Sequence, residues 1–131
     1  MQTVFPSGIA YGQIEETPME EVTKNSPLTN TELVVRSYFK DIPVMIQIAR
    51  CESGFRHTLE DGSVLRGVVD PADTGVMQIN KRYHNNTATT MDLNLDNIYN
   101  NMAYARHLYE KEGTRPWNAS ASCWNNHVAM Q

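Results

Sequence analysis

Residues 44–49 are apolar at every position except Gln47, and this pattern predicts a helix that is buried on nearly all sides. The residues before them favour a helix start, because Asp41 suits the N-cap and Pro43 suits the first turn. Gly54 is a typical residue at the end of a helix. The pattern therefore predicts a helix from about Asp41 to Gly54 at the centre of the core.

Helical periodicity continues elsewhere in the chain. Thr29-x-x-Glu32 is a capping box and predicts a short amphipathic helix up to about Phe39. A short helix is also predicted from Asn85 to about Met91. A longer amphipathic helix that ends at Gly113 is predicted by apolar residues at steps of three and four, namely Leu95, Ile98, Met102, Ala105 and Tyr109.

Residues 55–80 carry turn and strand signals instead. The turn Asp61-Gly62 lies between two runs that together predict a β-hairpin over residues 57–67. Residues 76–79 are short and strand-like or extended, and the aromatic tail 116–124 is expected to pack back on the body. The predicted fold class is α+β and mainly α, with a central buried helix and a small β-hairpin.

Residues 1–27 differ in composition from the rest of the chain. They contain three prolines, four glutamates and little periodicity, which is typical of a linker or a flexible extension. We therefore divide the chain into an N-terminal extension, residues 1–27, and one folded domain, residues 28–131. A length of 131 residues fits a single domain.

The charge distribution argues against nucleic acid as a partner. The formal net charge is −4, of which −3 falls on residues 1–30, while residues 31–131 hold 11 acidic and 10 basic side chains. Nucleic-acid binding instead calls for a clustered basic face. No run approaches the ~18 apolar residues of a membrane span, and no basic leader with an apolar segment is visible. We expect no nucleic-acid partner, no membrane span in this chain, and a monomeric protein.

Two cysteines, Cys51 and Cys123, allow two interpretations. A reducing compartment would leave two buried thiols, whereas an oxidising compartment could join them. Closing a loop of that length stabilises a protein by about 4 kcal/mol in the chain-entropy model, and we favour the disulfide. The four histidines have no common spacing and lie in different predicted elements, so we expect neither a metal site nor a cofactor.

Glu52 stands out among the acidic residues because it follows Met45 and Ile48 on one face of the central helix, at its C-terminal end. Burial against apolar neighbours raises the pKa of a carboxyl group, and the helix dipole acts in the same direction. A carboxyl group that keeps its proton near neutral pH can protonate a glycosidic oxygen. Glu52 is therefore a candidate catalytic acid; the alternative is a surface glutamate paired with Arg56.

Three short motifs follow one another along the chain: Glu52-Ser53 at the end of the buried helix, Gly75-Val76-Met77-Gln78, and Asn97-Ile98 followed by Tyr104. In this order they resemble the motifs of the lytic transglycosylase and goose-type lysozyme superfamily. Residues 48–55 resemble its first motif, in which a Glu-Ser pair ends a buried helix. Residues 75–79 resemble its second motif, Gly-Leu-Met-Gln, and Asn97-Ile98 followed by Tyr104 resembles its third helix. Each motif is short, and the resemblance, which covers residues 41–110, depends on the three together.

The resemblance implies a lysozyme-like fold that cleaves the β-1,4 bond between N-acetylmuramic acid and N-acetylglucosamine in peptidoglycan. It implies that Glu52 is the catalytic acid and that Ser53 helps to set the turn and the site. The side chains that would line or support the saccharide groove are Met77, Gln78, Ile79, Asn80, His84 and Tyr104.

Two positions depart from the superfamily's pattern. Goose-type enzymes place an acid where this chain has Asn80, and that acid is implicated in positioning the water that inverts the anomeric centre. The Ala-Tyr-Asn motif common on the C-terminal side has no clear copy here, although Trp117-Asn118 and Cys123-Trp124 can take over part of that wall. A lytic transglycosylase needs no second carboxylate, because one glutamate serves as acid and then as base.

We therefore expect a lytic transglycosylase that acts on peptidoglycan glycan strands with Glu52 as its single catalytic carboxyl group. One alternative is a hydrolytic lysozyme in which Asp70 or Asp73 is the second carboxylate, although both aspartates also fit turn-forming roles. The other alternative is a non-catalytic cell-wall-binding module that keeps the groove. The expected location is extracytoplasmic (periplasm, cell wall or secreted), with a signal sequence that is not visible in this chain.

Overall fold

The computed structural model describes residues 28–129, and from Glu32 onward they form one compact unit. The helices are α1 (Leu28–Tyr38), α2 (Pro43–Ser53), α3 (Lys81–Thr90), α4 (Ile98–Glu112), a 3₁₀ helix (Arg115–Ser120) and α5 (Ala121–Ala129). Two strands, β1 (Asp73–Thr74) and β2 (Ile79–Asn80), form an antiparallel sheet. The predicted α+β, mainly α class is confirmed; the extension predicted for residues 1–27 lies outside the described residues. Within the described range, no helix has both the length and the apolar character needed to cross a membrane.

Helix α2 forms the centre of the core, as predicted. Three of its apolar side chains are fully buried: Met45, Ile48 and Ala49. The helix ends at Gly54, which adopts the left-handed conformation (φ 63°, ψ 32°) and donates its backbone N–H to the carbonyl of Arg50. Glycine adopts this conformation without the steric cost that a Cβ adds. The predicted end of the helix at Gly54 is confirmed, and this conformation is its physical cause.

The predicted N-cap of α2 is wrong by one residue. Ile42 occupies the N-cap and makes no side-chain capping bond, while Pro43 stands in the first turn. The carboxylate of Asp41 instead receives two hydrogen bonds from the guanidinium of Arg106 on α4, at 2.9 and 3.0 Å. The bidentate guanidinium thus engages both carboxylate oxygens of Asp41.

The other helix boundaries differ from prediction by a few residues. Helix α1 begins one residue before the predicted cap Thr29. Helix α3 begins at Lys81, earlier than the predicted start at Asn85, because the side chain of Asn80 accepts the Tyr83 backbone N–H and caps the helix. Helix α4 ends before Gly113 as predicted but begins at Ile98, after the N-cap Asn97.

The β-structure is smaller than predicted and lies mainly in another segment. Within residues 57–67 the predicted hairpin is reduced to one antiparallel bridge, Thr58 with Val64. The two-stranded sheet pairs Asp73 with Asn80 and Thr74 with Ile79. Only part of the segment predicted to be extended, residues 76–79, belongs to a strand, because Gln78 adopts a positive φ of 53° and breaks the extended pattern.

The C-terminal segment packs back on the body, as predicted. The side chains of Trp117 and Trp124 are only 3% and 5% exposed. The 3₁₀ helix and α5 both contact α2, and a disulfide joins Cys51 of α2 to Cys123 of α5. The favoured state of the two cysteines is therefore confirmed, and the end of α2 is covalently attached to the tail.

Candidate active site

Glu52 lies on the last turn of α2 and opens into a cavity of about 400 Å³. Five parts of the chain contribute to this cavity: the end of α2, the sheet with the adjoining Gln78, the start of α3, the end of α4 and the 3₁₀ helix. The lining residues are Glu52, Asp73, Gln78, Asn80, Tyr83, His84, Glu112, Pro116, Trp117 and Ala119. A volume of this size falls in the range of small-molecule sites, and the lining offers both carboxylates and aromatic rings.

Burial raises the pKa of the Glu52 carboxyl group. The Ser120 hydroxyl opposes this effect, since it donates a hydrogen bond to Glu52 Oε2 at 2.7 Å and stabilises the ionised form. The negative charge of Asp73 adds a smaller upward contribution to the pKa. Glu52 is thus biased toward the protonated state that a general acid needs, with one hydrogen-bond donor ready for its carboxylate.

The predicted site residues separate into two groups. Glu52, Gln78, Asn80 and His84 line the cavity, and so does Asp73. Apart from Asp70, the others do not line the cavity and are at most 2% exposed: Ser53, Met77, Ile79 and Tyr104. The second group therefore supports the cavity wall from the core.

Two of the buried residues have evident supporting roles. The Ser53 hydroxyl donates to the carbonyl of Ala49 at 2.9 Å, inside α2, and so binds its own helix. The Tyr104 hydroxyl lies 2.9 Å from Nδ1 of His84, and the two groups share a hydrogen bond. Burial lowers the pKa of His84, which favours its neutral imidazole. Tyr104 therefore orients a cavity-facing side chain from below.

Asp70 and Asp73 occupy different environments. Asp70 receives two hydrogen bonds from the Arg82 guanidinium, at 2.9 and 3.0 Å, and one from the Ala72 backbone N–H. These donors hold the pKa of Asp70 well below its usual range, and Asp70 does not belong to the cavity lining. Asp73 does, and it is the candidate for a second carboxylate of the site.

Asn80 connects the two aspartates. Its side-chain amide nitrogen donates to Asp70 Oδ2 and to Asp73 Oδ1, both at 2.9 Å, while its oxygen caps α3. An acid at this position would lose both donated hydrogen bonds and place a third negative charge against two others. The departure from the goose-type pattern thus has a local physical reason, because Asn80 holds Asp73 in place.

Two buried side chains that the sequence analysis missed, His57 and Asn101, form hydrogen bonds with the backbone of the turn that precedes Gln78. We call this pair the clamp. Nδ1 of His57 accepts the Val76 backbone N–H at 3.0 Å, so Nε2 carries the proton and donates to the carbonyl of Asp96 at 2.7 Å. Burial lowers the pKa of His57, in keeping with a neutral ring that both accepts and donates. The spacing of the histidines gave no signal for this role.

Asn101 is the second member of the clamp. Its side-chain oxygen accepts the Met77 N–H, and its amide nitrogen donates to the carbonyls of Thr74 and Leu95, all within 2.9–3.0 Å. Gly75 fits between these side chains, since a Cβ added there would lie 2.6 Å from both His57 and Asn101. The glycine of the second motif is therefore required by packing as well as by its positive φ of 74°.

Ser120, Tyr83 and Glu112 are further site residues that the sequence did not single out. Tyr83 and Glu112 line the cavity, and Tyr83 is 72% exposed. Ser120 contacts Glu52 across 68 positions of sequence. Its position next to the cavity depends on how the tail packs. The sequence predicted that the aromatic tail folds back on the body, but it gave no signal for Ser120 itself.

Trp117 and Trp124 act mainly as core residues. The Trp117 ring lines the cavity, but its Nε1–H donates to the carbonyl of Met77 at 3.0 Å and fixes it in the wall. Trp124 Nε1–H lies within hydrogen-bond distance of the Trp117 carbonyl and of the Ser120 hydroxyl. Both indoles thus connect the tail to the site.

A larger cavity, of about 450 Å³, lies beside α3 and is lined by Lys81, Asn85, Thr89, Asp92, Leu93 and Asn94. It contains none of the candidate catalytic side chains. Across residues 28–129, no group of three or more His, Cys, Asp or Glu side chains is arranged to hold a metal ion.

Comparison with known proteins identifies no relative: no family model matches the chain, and neither a curated protein nor a solved structure is significantly similar to it. The resemblance to the transglycosylase and lysozyme superfamily thus depends on the three short motifs.

Proposed function

We propose that this protein is a lytic transglycosylase that cleaves the β-1,4 bond between N-acetylmuramic acid and N-acetylglucosamine, with Glu52 as its catalytic acid and base. One observation carries the proposal: Glu52, with a pKa raised by burial, opens into a cavity lined by hydrogen-bonding and aromatic side chains. A raised pKa suits a carboxyl group to give its proton to the leaving oxygen as the glycosidic bond breaks.

In the first step, Glu52 gives its proton to the glycosidic oxygen. The bond between that oxygen and C1 of the muramic acid breaks, its electron pair leaves with the glucosamine, and positive charge develops on the ring. The ionised Glu52 then takes the proton of the muramic 6-hydroxyl while that oxygen bonds to C1. The products are a 1,6-anhydro sugar and a free 4-hydroxyl, and Glu52 recovers its proton.

The other cavity residues suit the binding of an amide-bearing sugar. Gln78 and His84 offer donors and acceptors for N-acetyl and hydroxyl groups, and Tyr83 offers an exposed ring face. The Gln78 amide nitrogen donates to the Gly75 carbonyl at 3.0 Å, which limits its rotation. The partner that fits this lining is a glycan strand of peptidoglycan.

A second candidate activity is hydrolysis by a lysozyme, and the position of Asp73 favours it. Asp73 lines the same cavity as Glu52 and raises its pKa, so a second carboxylate is available to activate a water or to stabilise positive charge. Asp70 is the weaker choice, because Arg82 and Asn80 already occupy its oxygens. The two activities differ in their products.

An extracytoplasmic location accompanies the proposal. The Cys51–Cys123 disulfide is compatible with an oxidising compartment. A glycosidase that acts on the cell wall would meet its substrate there. The non-catalytic alternative, a wall-binding module, would share this location and differ only in turnover.

The deciding experiment digests purified peptidoglycan with the parent protein and with Glu52→Gln, and identifies the products by mass spectrometry. Anhydro-muropeptides from the parent and none from the variant support the transglycosylase. Products with reducing ends only would assign the hydrolase. If both proteins bind peptidoglycan and neither cleaves it, the result supports the non-catalytic wall-binding module.

Asp73→Asn and Asp70→Asn form a matched pair for the same assay. Each replaces a carboxylate by an isosteric amide, but only Asp73 lines the cavity. A hydrolase that uses Asp73 would lose most of its activity in the first variant and little in the second. A transglycosylase with a single catalytic carboxyl group would keep its anhydro products in both.

A further inference from the structure

The Ser120 hydroxyl has two acceptors within reach and one hydrogen to share between them. Ser120 Oγ lies 2.7 Å from Glu52 Oε2 and 3.1 Å from the carbonyl oxygen of Trp117. A hydroxyl carries one proton, so it can serve only one of these acceptors at a time. The side chain therefore has two hydrogen-bonded states that differ in the direction of the O–H bond.

The Ser120 oxygen itself is fixed in place. Trp124 Nε1–H donates to it at 3.1 Å, and the Trp124 ring is buried. Trp117, which provides the alternative acceptor, is anchored by the bond from its own indole to Met77. Changing acceptor thus requires rotation of one hydrogen and no displacement of heavy atoms.

We propose that Ser120 is a positioning residue for both proton transfers of Glu52: its hydroxyl donates to Glu52 whenever the carboxylate is ionised and turns to the Trp117 carbonyl whenever Glu52 carries the proton. This inference rests on the proposed function and deepens it. The charge state of Glu52 selects the acceptor, because a hydrogen bond to a carboxylate is roughly twice as strong as one between neutral groups.

The direction of the effect follows from the reaction steps. After Glu52 protonates the leaving oxygen, the carboxylate that remains is partly buried, and the Ser120 hydroxyl stabilises it there. When Glu52 takes back a proton, the hydroxyl is released to the Trp117 carbonyl, so this partly buried donor is not left without an acceptor. Ser120 is absent from the cavity lining, so it acts through Glu52.

The disulfide keeps these groups together. Cys51 precedes Glu52 directly, and Cys123 lies one turn of helix beyond Ser120. The hydroxyl and the carboxylate come from segments 68 residues apart, and the covalent link holds the two segments at the same place. The catalytic glutamate and its hydrogen-bond donor therefore sit beside the same cross-link.

The test compares Ser120→Ala and Ser120→Thr with a matched control, Ser63→Ala. Ser63 also donates its hydroxyl to a carboxylate, that of Asp61 at 2.6 Å, but in an exposed loop. The readouts are kcat and KM on soluble glycan strands over a range of pH, and the titration of the Glu52 carboxyl carbon by NMR. Thermal unfolding of each variant monitors the fold.

We expect Ser120→Ala to lower kcat by about tenfold, as for loss of a hydrogen bond to a charged group, with KM little changed. Its Glu52 should titrate at higher pH, and the alkaline limb of kcat should move with it. Ser120→Thr keeps a hydroxyl and should restore both properties, while Ser63→Ala should match the parent. A parent-like kcat and Glu52 titration in Ser120→Ala would overturn the proposal.

Failure of the proposed function is distinguishable from failure of this inference. If the parent is inactive on peptidoglycan, the NMR titration still decides whether Ser120 controls Glu52. If the parent is active and Glu52→Gln is not, a normal pH profile in Ser120→Ala counts against Ser120 alone. Should Ser120→Ala not fold, Trp124→Phe replaces it. That variant removes the indole N–H that donates to the Ser120 oxygen. It should therefore shift the titration of Glu52 without removing a catalytic group. An unshifted titration would overturn the proposal.

Discussion

Glu52 and Asp70 are both carboxylates close to the second motif's turn and sheet, yet their surroundings drive them in opposite directions. Glu52 ends a buried helix and receives one hydroxyl hydrogen bond, and its pKa is raised. Asp70 receives a guanidinium, an amide and a backbone N–H, and its pKa is held well below the usual range. The contrast teaches that burial, set against the number and charge of the donors, decides which carboxyl group can act as an acid.

Asp73 stands between these two extremes. It lines the cavity with Glu52 but shares the Asn80 amide with Asp70. Whether activity requires the Asp73 carboxylate therefore distinguishes the proposed transglycosylase from a hydrolase.

The largest effect is expected for Glu52→Gln, which should lower glycosidase activity by roughly 10²–10⁴-fold, the usual contribution of a general acid. Asp70→Asn, the matched control, should retain most of the parent activity. Turnover of purified peptidoglycan by both variants is the measurement. Equal losses of activity in the two variants would contradict the different roles assigned to Glu52 and Asp70.

The same Glu52 variant should affect stability with a defined pH dependence. Because the folded-state pKa of Glu52 is raised, its contribution to stability is present at low pH and is lost as pH rises through that pKa. Glu52→Gln cannot ionise, so it should gain stability over the parent at neutral pH and not at pH 4. Urea unfolding at the two pH values tests this, and a constant difference would contradict it.

Removal of the disulfide should have the next largest effect. Cys51→Ser combined with Cys123→Ser frees a loop of 72 residues, and the free energy of unfolding should fall by about 4 kcal/mol. Urea unfolding gives the value. The pKa of Glu52 should rise in the same variant if Ser120 moves away, and an unchanged pKa would show that core packing alone holds the two segments.

Asn80→Asp should have an intermediate effect, because it removes two donated hydrogen bonds and sets a third carboxylate beside Asp70 and Asp73. A loss of roughly 1–2 kcal/mol in the free energy of unfolding at neutral pH is expected from the hydrogen bonds. The loss should shrink at pH 3, where the new side chain takes up a proton. Asn86→Asp, on an exposed position of α3, is the control.

The smallest effect is expected for Arg82→Ala, since the Arg82–Asp70 pair is exposed. The low pKa of Asp70 means that the pair stabilises the fold above the ordinary aspartate pKa of about 4 and that this stabilisation is lost as pH falls. Without Arg82, the fall in melting temperature toward acid pH should be shallower. An identical pH dependence of the melting temperature in parent and variant would show that the Arg82–Asp70 pair does not stabilise the fold.

Local patterns in the sequence predicted the central helix, its glycine stop and the position of Glu52 at its end. They also favoured the disulfide and the return of the aromatic tail. The sequence misplaced the start of α3, although Asn80 is a preferred N-cap residue and could have been read as one. The N-cap of α2 could not be found in this way, because a residue distant in sequence, Arg106, binds Asp41.

The sequence by itself determined what depends on neighbours along the chain: the apolar face of α2, the left-handed glycine at its end, and the carboxyl group that this helix buries. The tertiary structure alone decided that Asp73 enters the cavity while Asp70 binds Arg82, and that Ser120 donates to Glu52. The reason is physical. Helix and cap preferences act over a few residues, whereas these contacts join segments whose approach is fixed by core packing and a cross-link.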